Sequence, residues 1–234
     1  NVKLALDDLI ERLGDVAADR VDPSHLKALR GHWATRGLTR KTINDRINML
    51  LGAWEWGSEF GLVSDETTTR LRTLRPLKRG MAPEGAGVDP VALDIVAETL
   101  PHLPEPLAEM SRFIVLTGAR VGEAREARSS EIVLGDVSYL APKWHKTARH
   151  GIERRITLNE AAVDIVKPRL DREFIFGPSD GSKPYSQRSV TYPFYRACDR
   201  AGVERWTPGQ LRHTAARVVL EKHGMEAARA MLGH

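Results

Sequence analysis

Two short stretches of this sequence carry arginine in settings that suit work on an anion. The first, "LTGARVGE", turns at Gly118 and places Arg120 one helical turn before Glu123. The second, "QLRHTAA", places Arg212 beside His213 and runs on to a closing "MLGH" whose last residue is His234. A guanidinium is planar, charged at all ordinary pH and forked, so two of them can hold the oxygens of a phosphodiester as charge builds there. Taken singly, Arg120 reads as a surface arginine at a helix start and Glu123 as its i,i+3 surface partner; the pairing of two such motifs in one chain is what points to a site. Other chemistries lack their residues: there is no glycine-rich loop closing on Gly-Lys-Ser/Thr, no His-Glu-x-x-His and no Gly-x-Ser-x-Gly. The eight histidines are scattered without carboxylates at metal-ligand spacing, so neither a metal nor a cofactor is expected.

Bulk properties agree with an anionic partner. The 35 Lys and Arg outnumber the 31 Asp and Glu, for a net charge of +4, and nucleic acid leads the candidates with a membrane surface second. No apolar run reaches the roughly 20 residues that span a bilayer, and the opening "NVKLALDDLIERLG" does not read as a secretory signal. The expectation is an intracellular, cytoplasmic protein. Cys198, the single cysteine, can form no internal disulfide and reads as a small buried apolar side chain.

The elements that must position the arginines can be sketched from periodicity. Leu4, Leu6, Leu9, Ile10 and Leu13 fall near helical spacing; Asp22 with Pro23 starts a second helix; Thr39 caps a third whose Ile43, Ile47, Leu50, Leu51 and Trp54 form one apolar stripe. The opposite face of that helix carries Arg40, Lys41, Asn44 and Asn48, which suit a solvated surface singly and phosphate contact as a group. "RPLKRGMAPEGAGVDP" has the composition of a linker. We expect a helical domain over 1–78, a linker over 79–89 and a second domain over 90–234. In the second domain Asp89 and Pro90 should start a helix, Pro104 to Leu116 another, and a short helix should follow Gly118. "EIVLGDVSYLAPKWHKTARHGIERRITL" reads as a small antiparallel sheet, with helices resuming at Asn159, near Ser186 and from Pro208. The fold class is therefore mainly α with a small antiparallel β-sheet.

The order of these motifs, the sheet between them and the "LRHT…LGH" spacing together resemble the tyrosine recombinases, the phage integrase family, across most of the chain. The resemblance implies a helical core-binding domain followed by an α+β catalytic domain. It makes Arg120 and Arg212 the two catalytic arginines, with Glu123 supporting Arg120. Lys146 of "KWHKTARHG" becomes the general acid that protonates the departing 5′ oxygen, with Lys143 as a nearby competitor. His234 matches the family's Leu-Gly-His histidine, which hydrogen-bonds the scissile phosphate. The activity implied is site-specific DNA cleavage and rejoining through a 3′-phosphotyrosine, without cofactor, on double-stranded DNA, by a homotetramer on paired sites in a full-length form. Arg40, Lys41, Asn44, Lys143, Arg149 and Arg188 are the expected DNA contacts.

Two departures qualify that expectation. The family has His or Lys three residues before the second arginine, and here that residue is Gly209, which has no side chain to share a proton. The family's nucleophilic tyrosine lies beyond Leu-Gly-His, outside these 234 residues, so the chain as given is expected to bind DNA without cleaving it. Tyr139, Tyr185, Tyr192 and Tyr195 read as core or sheet aromatics, and His213 as a buried structural histidine. A non-catalytic DNA-binding protein of the same fold and a type IB topoisomerase remain as alternatives.

Overall fold

The computed structural model describes residues 2–143, 151, 153–178 and 180–233. Lys146, Arg149 and His234 lie outside the described residues. The chain divides into two compact units, Asn1–Gly87 and Val88–His234.

The first unit is helical: α1 (Val2–Leu13), α2 (Pro23–Thr35), α3 (Arg40–Glu59) and α4 (Asp65–Arg72). Local chemistry sets their starts. Asp22 accepts from the Ser24 and His25 amides with Pro23 at the first helical position, and Thr39 and Ser64 cap α3 and α4. The expected α3 stripe of Ile43, Ile47, Leu50, Leu51 and Trp54 is buried against Leu26, Leu29 and Trp33. In α1 the phase is shifted: Ala5 and Leu9 are buried while Leu4 and Ile10 are exposed. Asp8 explains the turn of that helix, because its carboxylate accepts from Trp33 Nε1 at 2.7 Å and from Arg46 Nη1 at 2.9 Å. Much of the expected linker is tied to this unit. The Arg40 amide donates to the Pro83 carbonyl at 2.6 Å, and the Arg40 side chain pairs with Glu84.

The second unit contains α5 (Leu93–Thr99), α6 (Glu105–Thr117), α7 (Val121–Arg125), β1 (Ile132–Val133), β2 (Tyr139–Leu140), β3 (Ile156–Thr157), α8 (Glu160–Val166), α9 (Gln187–Ala201) and α10 (Pro208–Leu232). No helix begins at Asp89 or Pro90. The Asp89 and Val91 carbonyls instead accept from the Gln210 and Thr214 side chains of α10, which holds this stretch extended until α5 starts at Leu93. The three strands form an antiparallel sheet in chain order, pairing Ile132 with Leu140 and Leu140 with Ile156. Leu140 and Ile156 turn into the core. Asn159 and Ser186 cap α8 and α9.

Helix α6 is the spine of this unit, with Phe113 wholly buried and its ring 5.1 Å from that of Phe176. Phe194 of α9 meets Trp206 edge-on at 5.1 Å, and the Trp206 indole donates to Thr99. Cys198 is fully buried among these apolar side chains. Tyr192, expected in the core, is exposed because Val190, Phe194, Ala197 and Cys198 define the inward face of α9. His213 is likewise exposed, since the helical period of α10 sends Leu211, Thr214 and Ala215 inward. Truncating Phe113 to alanine opens a cavity at the packed centre. Phe113→Ala should lower stability by about 3–5 kcal/mol, read from a denaturant midpoint; a change within experimental error would show that Phe113 does not anchor this core.

Candidate functional site

The "LTGARVGE" stretch forms the exit of α6 and the entry of α7. Gly118 closes α6 in the left-handed region at φ 65°, and a Cβ there would meet Met231 Cε at 2.9 Å, so both backbone and space call for glycine. Two residues on, Arg120 caps α7. Its amide donates to Glu123 Oε2 at 2.8 Å and its Nη1 to Oε1 at 2.6 Å, so one carboxylate fixes both ends of the residue. Glu123 is almost fully buried, while the Arg120 side chain is 35% exposed. That exposure leaves part of the guanidinium available to a ligand.

Arg212, in the second turn of α10, donates through Nη1 to the Gly118 carbonyl and through Nη2 to the Leu232 carbonyl at 2.9 Å. The second contact joins residues twenty apart in one helical stretch, which in a straight helix would stand about 30 Å from each other. Gly224 makes the contact possible: at φ 81° and ψ 178° it breaks α10 and turns its last part back. The two arginine motifs, separate in sequence, thereby meet around Gly118.

Sequence reasoning missed a third arginine. Arg154, just before β3, is buried; its Nε lies 3.4 Å from Glu123 Oε1 and its Nη1 donates to the same Leu232 carbonyl at 3.1 Å. Alternation was the signal that could have found it. Residues 154, 156 and 158 are buried and 153, 155 and 157 exposed, so Arg154 lies on the inward phase of the extended stretch that leads into β3.

The other expected residues are distributed differently. Lys143 is exposed, and its amide donates to the buried Glu131 carboxylate at 3.0 Å. Arg188 is exposed on the first turn of α9. In the first unit Lys41 pairs with Asp45, and the Asn44 amide brackets Leu77, donating to its carbonyl at 3.1 Å and accepting from its amide at 2.8 Å. Gly209 lines a hollow of about 470 Å³ with Thr207, Arg125 and Gln187, and a Cβ on it would meet only Thr207 Oγ1, at 3.8 Å.

Electrostatics mark the cluster as short of negative charge. Burial, then the charges of Arg120 and Arg154, pull Arg212 down to about 10 against the opposing pull of Glu123; it remains a cation at neutral pH. Burial pushes the Glu123 carboxyl up, but its bonds from Arg120 and the nearby Arg154 outweigh that, and it titrates below the ordinary 4.5. A lowered carboxyl contributes stability that is complete above its ordinary range and is lost as pH falls through the lowered value. Glu123→Gln should therefore be less stable than the parent near neutral pH by about 1–3 kcal/mol. In thermal melts the gap should close below pH 4.5; a gap independent of pH would contradict the pairing.

The profile described as the phage integrase family matches residues 93–234. No curated protein is significantly similar to the chain in sequence. Among solved structures, a lambda integrase dimer bound to a COC′ core site is similar with a TM-score of 0.73 at 20% identity, over 100% of this chain and 86% of that one. The XerH site-specific recombinase bound to a palindromic difH substrate is similar with a TM-score of 0.70 at 17% identity, over 100% of this chain and 72% of that one. The Tn1549 transposon integrase in complex with circular intermediate DNA has a TM-score of 0.65 at 16% identity, over 99% of this chain and 84% of that one. At these identities the likeness is one of fold. The family match, by contrast, spans more than half of the chain and contains both arginine motifs, and this protein belongs to the phage integrase family of tyrosine recombinases.

Proposed function

We propose that the protein works as a site-specific recombinase on double-stranded DNA, gripping the scissile phosphate with Arg120 and Arg212. The observation that carries this reading is the excess of cation at one point: three guanidiniums cluster around one buried carboxylate that pairs with only two of them, and Arg120 is partly open to solvent. A phosphodiester anion supplies the missing charge, and forked donors match its two non-bridging oxygens. Solved relatives fit the same substrate, lambda integrase having been seen as a dimer on a core site and as a tetramer on a Holliday junction.

The proposed reaction follows from the family. A tyrosine about nine residues past Leu-Gly-His, roughly two and a half helical turns on, attacks phosphorus as its phenolic proton passes to water. The new O–P bond forms a 3′-phosphotyrosine as the bond to the 5′ oxygen breaks, and Lys146 gives that oxygen a proton. Attack by the 5′ hydroxyl of a partner strand reverses the step and rejoins the DNA. Arg120 and Arg212 hold charge that grows in both transition states, Glu123 orients Arg120, and His234 adds a hydrogen bond to the phosphate. Residues 1–78 form the core-binding domain of this reading and 90–234 the catalytic domain, with a tetramer on two sites as the working assembly. Lys41, Lys143, Arg149 and Arg188 contact the DNA backbone in this reading; Arg40 and Asn44 do so only by leaving Glu84 and Leu77.

Gly209 favours a second reading, a DNA-binding protein of the same fold with slow chemistry or none, because it has no side chain to relay a proton where the family has His or Lys. A longer chain carrying a tyrosine past His234, incubated with its cognate duplex, separates the two. A covalent protein–DNA adduct is expected, and DNA binding without any adduct would overturn the recombinase reading in favour of the second. Arg212→Ala should abolish the adduct while most DNA affinity remains, since many other contacts reach phosphates. Gly209→His has space to fold normally, and in the longer chain it should speed adduct formation by about tenfold or more, the low end of general-base effects being roughly a hundredfold. An unchanged rate would show that the hollow is not the proton-handling position.

A further inference from the structure

We infer that Arg154 is a positioning residue of this site: it ties Arg120, through Glu123, and Arg212, through the Leu232 carbonyl, into one arrangement with both forks presented to a phosphate. The inference rests on the phosphate-binding reading for its purpose and on geometry for its substance. Contacts form a closed ring. Arg120 bonds to Glu123, Glu123 pairs with Arg154, Arg154 donates to the Leu232 carbonyl, Arg212 donates to that same oxygen, and Arg212 also donates to the carbonyl of Gly118, two residues before Arg120. Arg154 is the link that closes it.

Arg154 is poorly served as a merely structural ion pair. It shares Glu123 Oε1 with Arg120, and its buried Nε and Nη2 find no hydrogen-bond partner among the described residues. A buried guanidinium with idle donors destabilises a core that an apolar residue would fill better. Its placement makes sense as a brace. The fork reaches two acceptors that a single ammonium point charge cannot hold in the same way, and it lies against Gly233, where a Cβ would collide with Nη1. The glycine that ends α10 thus leaves room for the guanidinium, which in turn holds the returning end of the helix to the arginines.

The test uses the 234-residue chain, isotope-labelled at arginine, with inorganic phosphate as the probe and the guanidinium resonances as the readout. In the parent, Arg120 and Arg212 should give dispersed, slowly rotating signals that shift together as phosphate is added. Arg154→Lys keeps the charge and loses the fork. It should retain a cooperative melt while the Arg120 and Arg212 signals collapse to the fast-rotating average and phosphate affinity falls about tenfold, a difference of about 1.4 kcal/mol. Gly233→Ala displaces the same guanidinium without removing it and should loosen Arg212 in the same way, which keeps the test decisive if the lysine variant does not fold. Residues that merely fill a core change the melting temperature and leave ordered side chains ordered. Unchanged Arg120 and Arg212 signals in a folded variant would overturn the inference. Failure of the parent to respond to phosphate or to bind duplex DNA would instead count against the phosphate-binding reading, leaving the bracing role to be judged on the guanidinium signals alone.

Discussion

Like charges repel, and the guanidiniums of Arg120, Arg154 and Arg212 stand together only because a buried carboxylate and two backbone carbonyls lie among them. Two unit charges about 4 Å apart interact by about 4 kcal/mol in the environment near a protein surface, so three cations served by one anion are under repulsive load. The same load makes the cluster receptive to a further anion. Glu123 is what makes the arrangement tolerable in its absence: it gives one oxygen to the Arg120 amide and the other to the Arg120 and Arg154 side chains. Remove that carboxylate and Arg120 loses its side-chain anchor, leaving only backbone carbonyls to hold Arg154 and Arg212.

The rest of the second unit serves that convergence. Helix α6 delivers Gly118 at its C-terminus, where the left-handed glycine sends the chain sharply into Arg120 and α7. The extended stretch that leads into the last strand brings Arg154 in on the same buried phase as Ile156. Helix α10 contributes twice, through Arg212 near its start and Leu232 at its end, and the break at Gly224 converts twenty residues of separation into a shared hydrogen-bonding neighbourhood. Met231 against Gly118 and Arg154 against Gly233 then seal the returning end with close packing at two glycines.

Much of this was legible in advance. Cap residues are local chemistry, so Asp22, Thr39, Asn159 and Ser186 marked helix starts correctly from the chain alone. The α3 stripe followed from periodicity, and a small antiparallel sheet from short runs rich in β-forming residues split by turns. Misreadings arose where distant residues decide. Asp89 and Pro90 look like a helix start, but side chains of α10 take their neighbourhood's carbonyls and keep it extended. Tyr192 and His213 were expected inside by residue type, whereas the phase of their helices, set by larger apolar neighbours, turns them out.

By itself the sequence determined the fold class, the starts of most helices and the identity of the two motif arginines, because these depend on spacing and on residues a few positions apart. Glycine at 118 could be read as a turn from the chain; that it must also admit Met231 could not. Only the tertiary structure decided that Arg120 and Arg212 share a neighbourhood, that Glu123 serves two arginines rather than one, and that Arg154 joins them. The reason is physical: hydrogen bonds from residues 120, 154 and 212 to acceptors at 118, 123 and 232 exist only after α6, the sheet and the folded-back end of α10 have packed, and no local propensity encodes that packing.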